Sequence, residues 1–254
     1  MSERQRARRA ATVLPVLITL LVGAAVGGLV IIQNQRQSDQ VVEAEAMGQD
    51  YLSAAATFKA RVAKAIKAAD STKLTEITRV LDTEVAKPPT LPAASKYGRQ
   101  NSSTYREAID VQSTLLGPYE ALSATLKRAQ VAETFINAGR KVLEMRATDY
   151  VGAGVITSSG PVRAKLIPAF VNARDTFNRV PVPKGQQKLA STIQGAVQYV
   201  IDQATTLADR IEARQSFSFS YNDQFQVAAD ALNDYATTVE GDVTEAVNTV
   251  VEAG

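Results

Sequence analysis

The chain contains no cysteine, no histidine and no tryptophan. Without cysteine there are no disulfides and no thiolate-bound iron–sulfur cluster, and without either cysteine or histidine there is no ordinary zinc site. The same absences remove Ser-His-Asp and Cys-His nucleophiles and leave only Met, Lys or Tyr as axial haem ligands. Aspartate, glutamate, lysine and tyrosine remain for acid–base work, and oxygen-only coordination remains for metals. Charge is also scarce: only 21% of the 254 residues are Asp, Glu, Lys or Arg, and the net charge is +2. No catalytic residue, metal site or cofactor is therefore expected, and a non-enzymatic role is.

What is present begins with a long uncharged run. Residues 1–9 carry Arg4, Arg6, Arg8 and Arg9 against the single acid Glu3. From Ala10 to Ile32 there follow 23 residues without a charge, AATVLPVLITLLVGAAVGGLVII. As a helix they rise roughly 34 Å at about 1.5 Å per residue, enough for a hydrocarbon core of about 30 Å. A soluble buried helix would rarely stay uncharged for so long. A cleaved secretory signal would have to be cut after Ala25-x-Gly27, which leaves the apolar stub GLVII on the product. The segment is accordingly expected to be a signal-anchor that spans the cell membrane once. The basic tip sets its direction, because cytoplasmic flanks carry the Lys/Arg excess. Residues 1–9 are expected inside, 10–32 in the bilayer, and 33–254 on the periplasmic or extracellular side. Gly23 and Gly27, with Ala24 and Gly28 beside them, give the span a small-residue face on which another helix can pack.

The tip accounts for +3, which leaves −1 for the rest of the chain and no footprint for nucleic acid. The distribution is uneven. Residues 59–99 hold nine Lys/Arg and four Asp/Glu, whereas residues 222–254 hold seven Asp/Glu and no Lys/Arg. The acidic end either lies beside the basic first helix or forms a docking face for a basic partner, and the first is the commoner use of such asymmetry.

Helical periodicity dominates the exported part. Val41, Ala44, Gly48, Tyr51, Ala55, Phe58, Val62, Ala65 and Ala69 step by 3 and 4, so the span is expected to continue into a long first helix. Asp70-Ser71-Thr72 offers a cap for a short helix with Leu74, Ile77, Leu81 and Val85 on one face. The prolines of Lys87-Pro88-Pro89-Thr90-Leu91-Pro92 make a stiff connector. A helix is expected over 105–116, and Gly117-Pro118 starts or kinks the next, whose seam runs through Leu115, Tyr119, Leu122, Leu126, Ala129, Ala132, Ile136, Gly139 and Leu143. Pro161 suits the first turn of a helix to about Asn178 that Pro168 must bend. After a second stiff linker, Val180–Gly185, Leu189, Ile193, Ala196, Val200, Ala204, Leu207 and Ile211 define another long helix. Phe225, Ala229, Leu232, Ala236, Val239, Val243, Ala246 and Val250 define the last, in a 3.5-residue repeat that wants partner helices. Gly241 is a place for a bend. The intervening Gln215–Tyr221 alternates polar and aromatic residues, which suits either an extended piece or, as the commoner use of aromatic area, a plug closing one end of the core. The fold class expected is all-α: one transmembrane helix continuing into an exported antiparallel helical bundle.

Motifs that carry chemistry are weak. Gly152–Pro161 (GAGVITSSGP) is rich in Gly and Ser, yet it lacks the Gly-Lys-Ser/Thr ending of a phosphate loop and follows no strand pattern. Ser158 or Ser159 would need a lysine base, and Arg163 and Lys165 nearby do not supply one. Glu240 and Asp242 sit on different helix faces, and Asn101-Ser102-Ser103 matches a glycosylation acceptor.

With its basic RQRARR tip, Gly-containing span and Cys-free exported helices rich in Ala, Val, Thr and Asp, the chain resembles in organisation the small single-span accessory subunits of actinobacterial membrane complexes, such as those of the cytochrome bc-aa3 respiratory supercomplex. The resemblance implies a scaffold that assembles, stabilises or shields a larger machine on the outer face, with redox centres on other subunits. Its partners would be membrane protein subunits, met through the span and the exported helices, and the lipid bilayer. No small-molecule substrate is indicated. The alternative is an envelope ligand-binding or sensing protein, or an accessory protein of lipid export.

Overall fold

The computed structural model describes the backbone of residues 3–70 and 73–254, and side chains from residue 34 onward except 71 and 72. The described residues are all-helical, with no strand. The order is α1 (Glu3–Ala68), α2 (Leu74–Val85), α3 (Lys96–Asn101), α4 (Ser103–Thr114), α5 (Gly117–Leu143), α6 (Thr148–Val151), α7 (Ser159–Pro161), a π-turn (Val162–Leu166), α8 (Ile167–Phe177), α9 (Gln187–Glu212) and α10 (Asn222–Glu252). Two compact units result, one from the chain up to Arg61 with Ala86–Gly117, the other from Val62–Val85 with Pro118–Ala253.

In the first unit the expected seam of α1 is buried at Ala44, Gly48, Tyr51, Ala55 and Phe58. Its small members admit backbone. A Cβ on Gly48 would lie 2.9 Å from the Thr104 carbonyl, and one on Gly98 would lie 2.4 Å from the Gln40 carbonyl oxygen. The α3–α4 junction meets this seat through two serine caps. Ser95 Oγ accepts from the Gly98 N–H at 3.0 Å and donates to Gln40 Oε1 at 3.2 Å. Ser102, fully buried, accepts from the Tyr105 N–H at 3.1 Å. Tyr105 then fastens the proline connector: its hydroxyl donates to the Pro92 carbonyl at 2.6 Å and accepts from the Ala94 N–H at 3.1 Å. A connector that lacks donors is thus held by a side chain instead of a ladder.

Tyr51 is the exception to this economy, because its hydroxyl is buried without a hydrogen-bond partner among the described residues. Burial pushes its pKa up, since the phenolate would be poorly solvated there. Leaving a buried hydroxyl unsatisfied costs about 1–3 kcal/mol. Tyr51→Phe is therefore expected to stabilise the fold by about 1 kcal/mol, read as a higher urea midpoint with an unchanged slope. A drop in the midpoint would show that the hydroxyl has a partner.

In the second unit, α9 packs against α8 and α10. The core gathers Phe135 and Ile136 from α5, Leu166 from the π-turn, Phe170 from α8, Ile193 and Val200 from α9, and Leu232 from α10. Helices α5, α9 and α10 converge at Gly139, where a Cβ would lie 2.9 Å from Leu232 Cδ2 and 3.2 Å from Ile193 Cδ1.

Three details differ from the sequence expectation. The seam of α1 passes from Val62 to Ala63 and Ile66, and Ala65 and Ala69 are only half-buried, because the larger apolar side chain lies on the adjacent stripe. The helix expected to bend at Pro168 is instead divided. A first turn capped by Ser158 opens into the π-turn, where the Ile167 N–H bonds the Val162 carbonyl, and α8 then begins with Pro168 in its first turn, where no donor is needed. Helix α10 runs through Gly241 without interruption. Its 3.5-residue repeat is buried unevenly, because an α-helix drifts about 20° per heptad against such a repeat. Phe225, Leu232, Val243 and Val250 are buried, whereas Ala236, Val239 and Ala246 are half-exposed. Residues 215–221 form no strand. Phe217, Phe219 and Tyr221 pack against the core as a plug, and the Tyr221 hydroxyl accepts from the Ala147 N–H at 2.8 Å.

Candidate functional site

The residues singled out for membrane packing (Gly23, Ala24, Gly27 and Gly28) and for topology (Arg4, Arg6, Arg8 and Arg9) lie outside the described side chains. Among the described residues no helix is long and apolar enough to cross a membrane.

The structure disperses the remaining chemical candidates. Ser158 Oγ faces the Gly160 N–H at 3.4 Å as a helix cap. Arg163 is committed elsewhere, to Asp209 at 2.6 Å and to Glu212 at 2.8 and 3.1 Å. This bidentate fork ties the start of the π-turn region to the end of α9, and it raises the Arg163 pKa further. Asn101 donates its amide to the Tyr97 carbonyl at 2.9 Å. Among the described residues, no three carboxylates converge to hold a metal ion.

The clasp is exposed, so its effect is on local order more than on global stability. Hydrogen bonds from Arg163, and secondarily from Ser159, hold the Glu212 carboxyl below its ordinary value of 4.5. A depressed carboxylate contributes stability above the unfolded value and loses it as pH falls through the folded one, so the clasp is expected to loosen only below about pH 4.5. A carbon-detected NMR titration should place Glu212 below an ordinary glutamate. Arg163→Met should move it most of the way back to the ordinary value, the Ser159 bond remaining, and an unshifted Glu212 in the parent protein would refute the clasp.

An apolar concavity lies elsewhere in the second unit. It is a groove of about 480 Å³ between the first half of α5, the Val182–Gln186 connector and the middle of α10. Its floor is apolar. Val131 and Val182 are 44% and 40% exposed there, beside half-buried Val239 and Tyr235. The connector is fixed by Pro183, which is buried, and by Gly185, whose φ of +85° makes the turn into α9. Tyr235 closes the inner end with its ring edge-on to Phe135 at 6.4 Å. Its pKa is pushed up by burial and then by the charge of Asp242. The rim carries Lys127, Arg128 and Lys184 against the single acid Asp242, and none of the three cations forms an ion pair within the described residues. Arg128 is oriented by a 3.0 Å hydrogen bond to Thr125 Oγ1.

Comparison of the chain with protein families, with curated proteins and with solved structures finds no match. The class that fold and site define is an all-helical protein of two compact units, with an apolar, cation-rimmed groove in one of them. Sequence periodicity misses this groove, because it treats Val239 as one more seam position. The available signal was Val131, an exposed valine that lies off the α5 seam.

Proposed function

We propose that the protein is a non-catalytic, membrane-anchored accessory subunit of a larger membrane assembly, with residues 33–254 on the outer face as a helical scaffold. A respiratory supercomplex is the assembly to which the resemblance in organisation points. The observation that carries this reading is continuity. Residues 10–32, uncharged throughout, belong to the same helix, Glu3–Ala68, that supplies the buried seam of the first unit. An anchor joined to its domain without a flexible linker fixes the domain at a set height and angle, which suits a scaffold better than a tethered binder. The groove favours a second reading, an envelope ligand-binding or lipid-export accessory protein.

The test is mild-detergent purification through a C-terminal tag, with mass spectrometry of whatever remains bound at near-stoichiometric level. A constant set of membrane subunits is expected, and Gly23→Ile combined with Gly27→Ile should reduce its recovery several-fold by blocking close helix approach. Recovery of the chain alone would overturn the accessory reading.

A further inference from the structure

We infer that the groove between α5, the Val182–Gln186 connector and α10 binds a free fatty acid, its alkyl chain on the apolar floor and its carboxylate at the cationic rim. The inference does not rest on the accessory reading, because the groove is built wholly within the second unit.

Size selects the chain. Along α10 the groove runs from Tyr235 to Val243, about 12 Å at 1.5 Å per residue. A docked helix about 10 Å across would need roughly twice the groove's volume over that length, whereas an extended run of methylenes does not. The volume of about 480 Å³ falls within the range of small-molecule sites. The lining is mainly apolar, through Val131, Val182 and Val239, and its few neutral polar groups, Thr125, Gln186 and Thr238, are fewer than a sugar or nucleotide would need.

Charge selects the head group. The cations come from α5 and the connector, while Glu240, Glu245 and Glu252 of α10 line a separate face of that helix. An anionic head therefore meets Lys127, Arg128 and Lys184 with only Asp242 opposed. The floor and rim are also preorganised, by Pro183, by the turn at Gly185 and by the Thr125 bond to Arg128, so little ordering accompanies binding. A hollow lined by Ala138, Val142, Phe177 and Val180 is as apolar but carries the single cation Lys141. The one beside Met145, Tyr221 and Phe225 is larger but mostly polar and more open.

The full chain, reconstituted in phosphatidylcholine nanodiscs, should be labelled by a photoreactive decanoate analogue, whose extended length matches the groove, and the adducts mapped by peptide mass spectrometry. Adducts are expected within 125–132, 182–186 and 235–243. Unlabelled decanoate should compete them away, and decyltrimethylammonium, of equal chain length and opposite charge, should not. Arg128→Glu with Lys184→Glu should lower labelling of those peptides about tenfold. Val131→Asp should abolish it, while Val227→Asp, an exposed change on α10 outside the groove, should leave it unchanged. Circular dichroism melting checks that each variant folds. Adducts spread evenly over the chain, equal competition by both amphiphiles, or no response to the double substitution would each overturn the inference. Labelling that vanishes when phosphatidylglycerol replaces phosphatidylcholine would assign the groove to bilayer lipid and overturn it too.

Discussion

Gly98→Ala is expected to destabilise the seat of α3 on α1 by about 2–3 kcal/mol, although alanine is the better helix former. In an open helix the exchange gains up to about 1 kcal/mol from propensity and from a less flexible unfolded chain. At Gly98 the added Cβ would stand 2.4 Å from the Gln40 carbonyl oxygen and 2.9 Å from the Ala44 Cβ. Both obstacles belong to a helix whose hydrogen bonds fix them, so α3 must move away. That motion breaks the Ser95–Gln40 bond and disturbs the buried Ser102 cap on which α4 begins. Amide exchange reads the loss directly: protection over α3 and the first turns of α4 should fall roughly 30- to 140-fold, the equivalent of 2–3 kcal/mol. Gly195→Ala is the control, since that glycine lies within α9 with nothing within 4 Å of a new Cβ. It should raise stability by up to about 1 kcal/mol. If both alanines stabilise, the close approach of α3 to α1 is wrong.

The two glycines show where sequence reading reaches its limit. Each is flanked by residues compatible with helix, and nothing local tells a glycine that admits another backbone from one that merely faces solvent. Gly48 could at least be placed on the buried seam, because its neighbours at Ala44, Tyr51 and Ala55 repeat with the helical period. Gly98 could not, because α3 is too short to have a period. The same distinction runs through the chain. The long helices α5, α9 and α10 were legible because burial of one face imposes a pattern on 26 or more residues. Gly117 starts α5 as the Gly-Pro pair implies, and the aromatic stretch before α10 plugs the core. The π-turn was not legible, because it arises from a choice between bending a helix at Pro168 and restarting it there, which tertiary burial of Val162 and Leu166 decides. The division into two units was partly hidden: its boundary at Val85/Ala86 adjoins the proline connector, and that between Gly117 and Pro118 falls at the Gly-Pro pair, but the one after Arg61 lies inside the continuous helix α1. The groove depends on which stripes of three non-consecutive elements meet, and no single stretch encodes that.

Phe170→Ala is expected to be among the most damaging single changes in the second unit, at about 3–5 kcal/mol. The ring is wholly buried, and three other rings surround it: Tyr150 at 6.2 Å, Tyr221 at 6.3 Å and Phe225 at 6.3 Å, tilted or edge-on. Such pairs add to the area term, so truncation loses ring contacts as well as transfer energy and leaves a cavity bounded by rigid groups. Relief by collapse is restricted. Tyr221 is held by its bond from Ala147, and Leu166, one turn before Phe170, is itself fully buried on the π-turn. Phe170→Leu keeps most of the volume and should cost under about 1.5 kcal/mol. Phe217→Ala, in the half-buried plug, should cost about 1 kcal/mol, because less area leaves water there. Urea unfolding followed by the near-ultraviolet tyrosine signal ranks the three. Equal losses at Phe170 and Phe217 would mean that residues 215–221 carry the core and not its closure, which would reverse the order in which α8 and the plug support the fold.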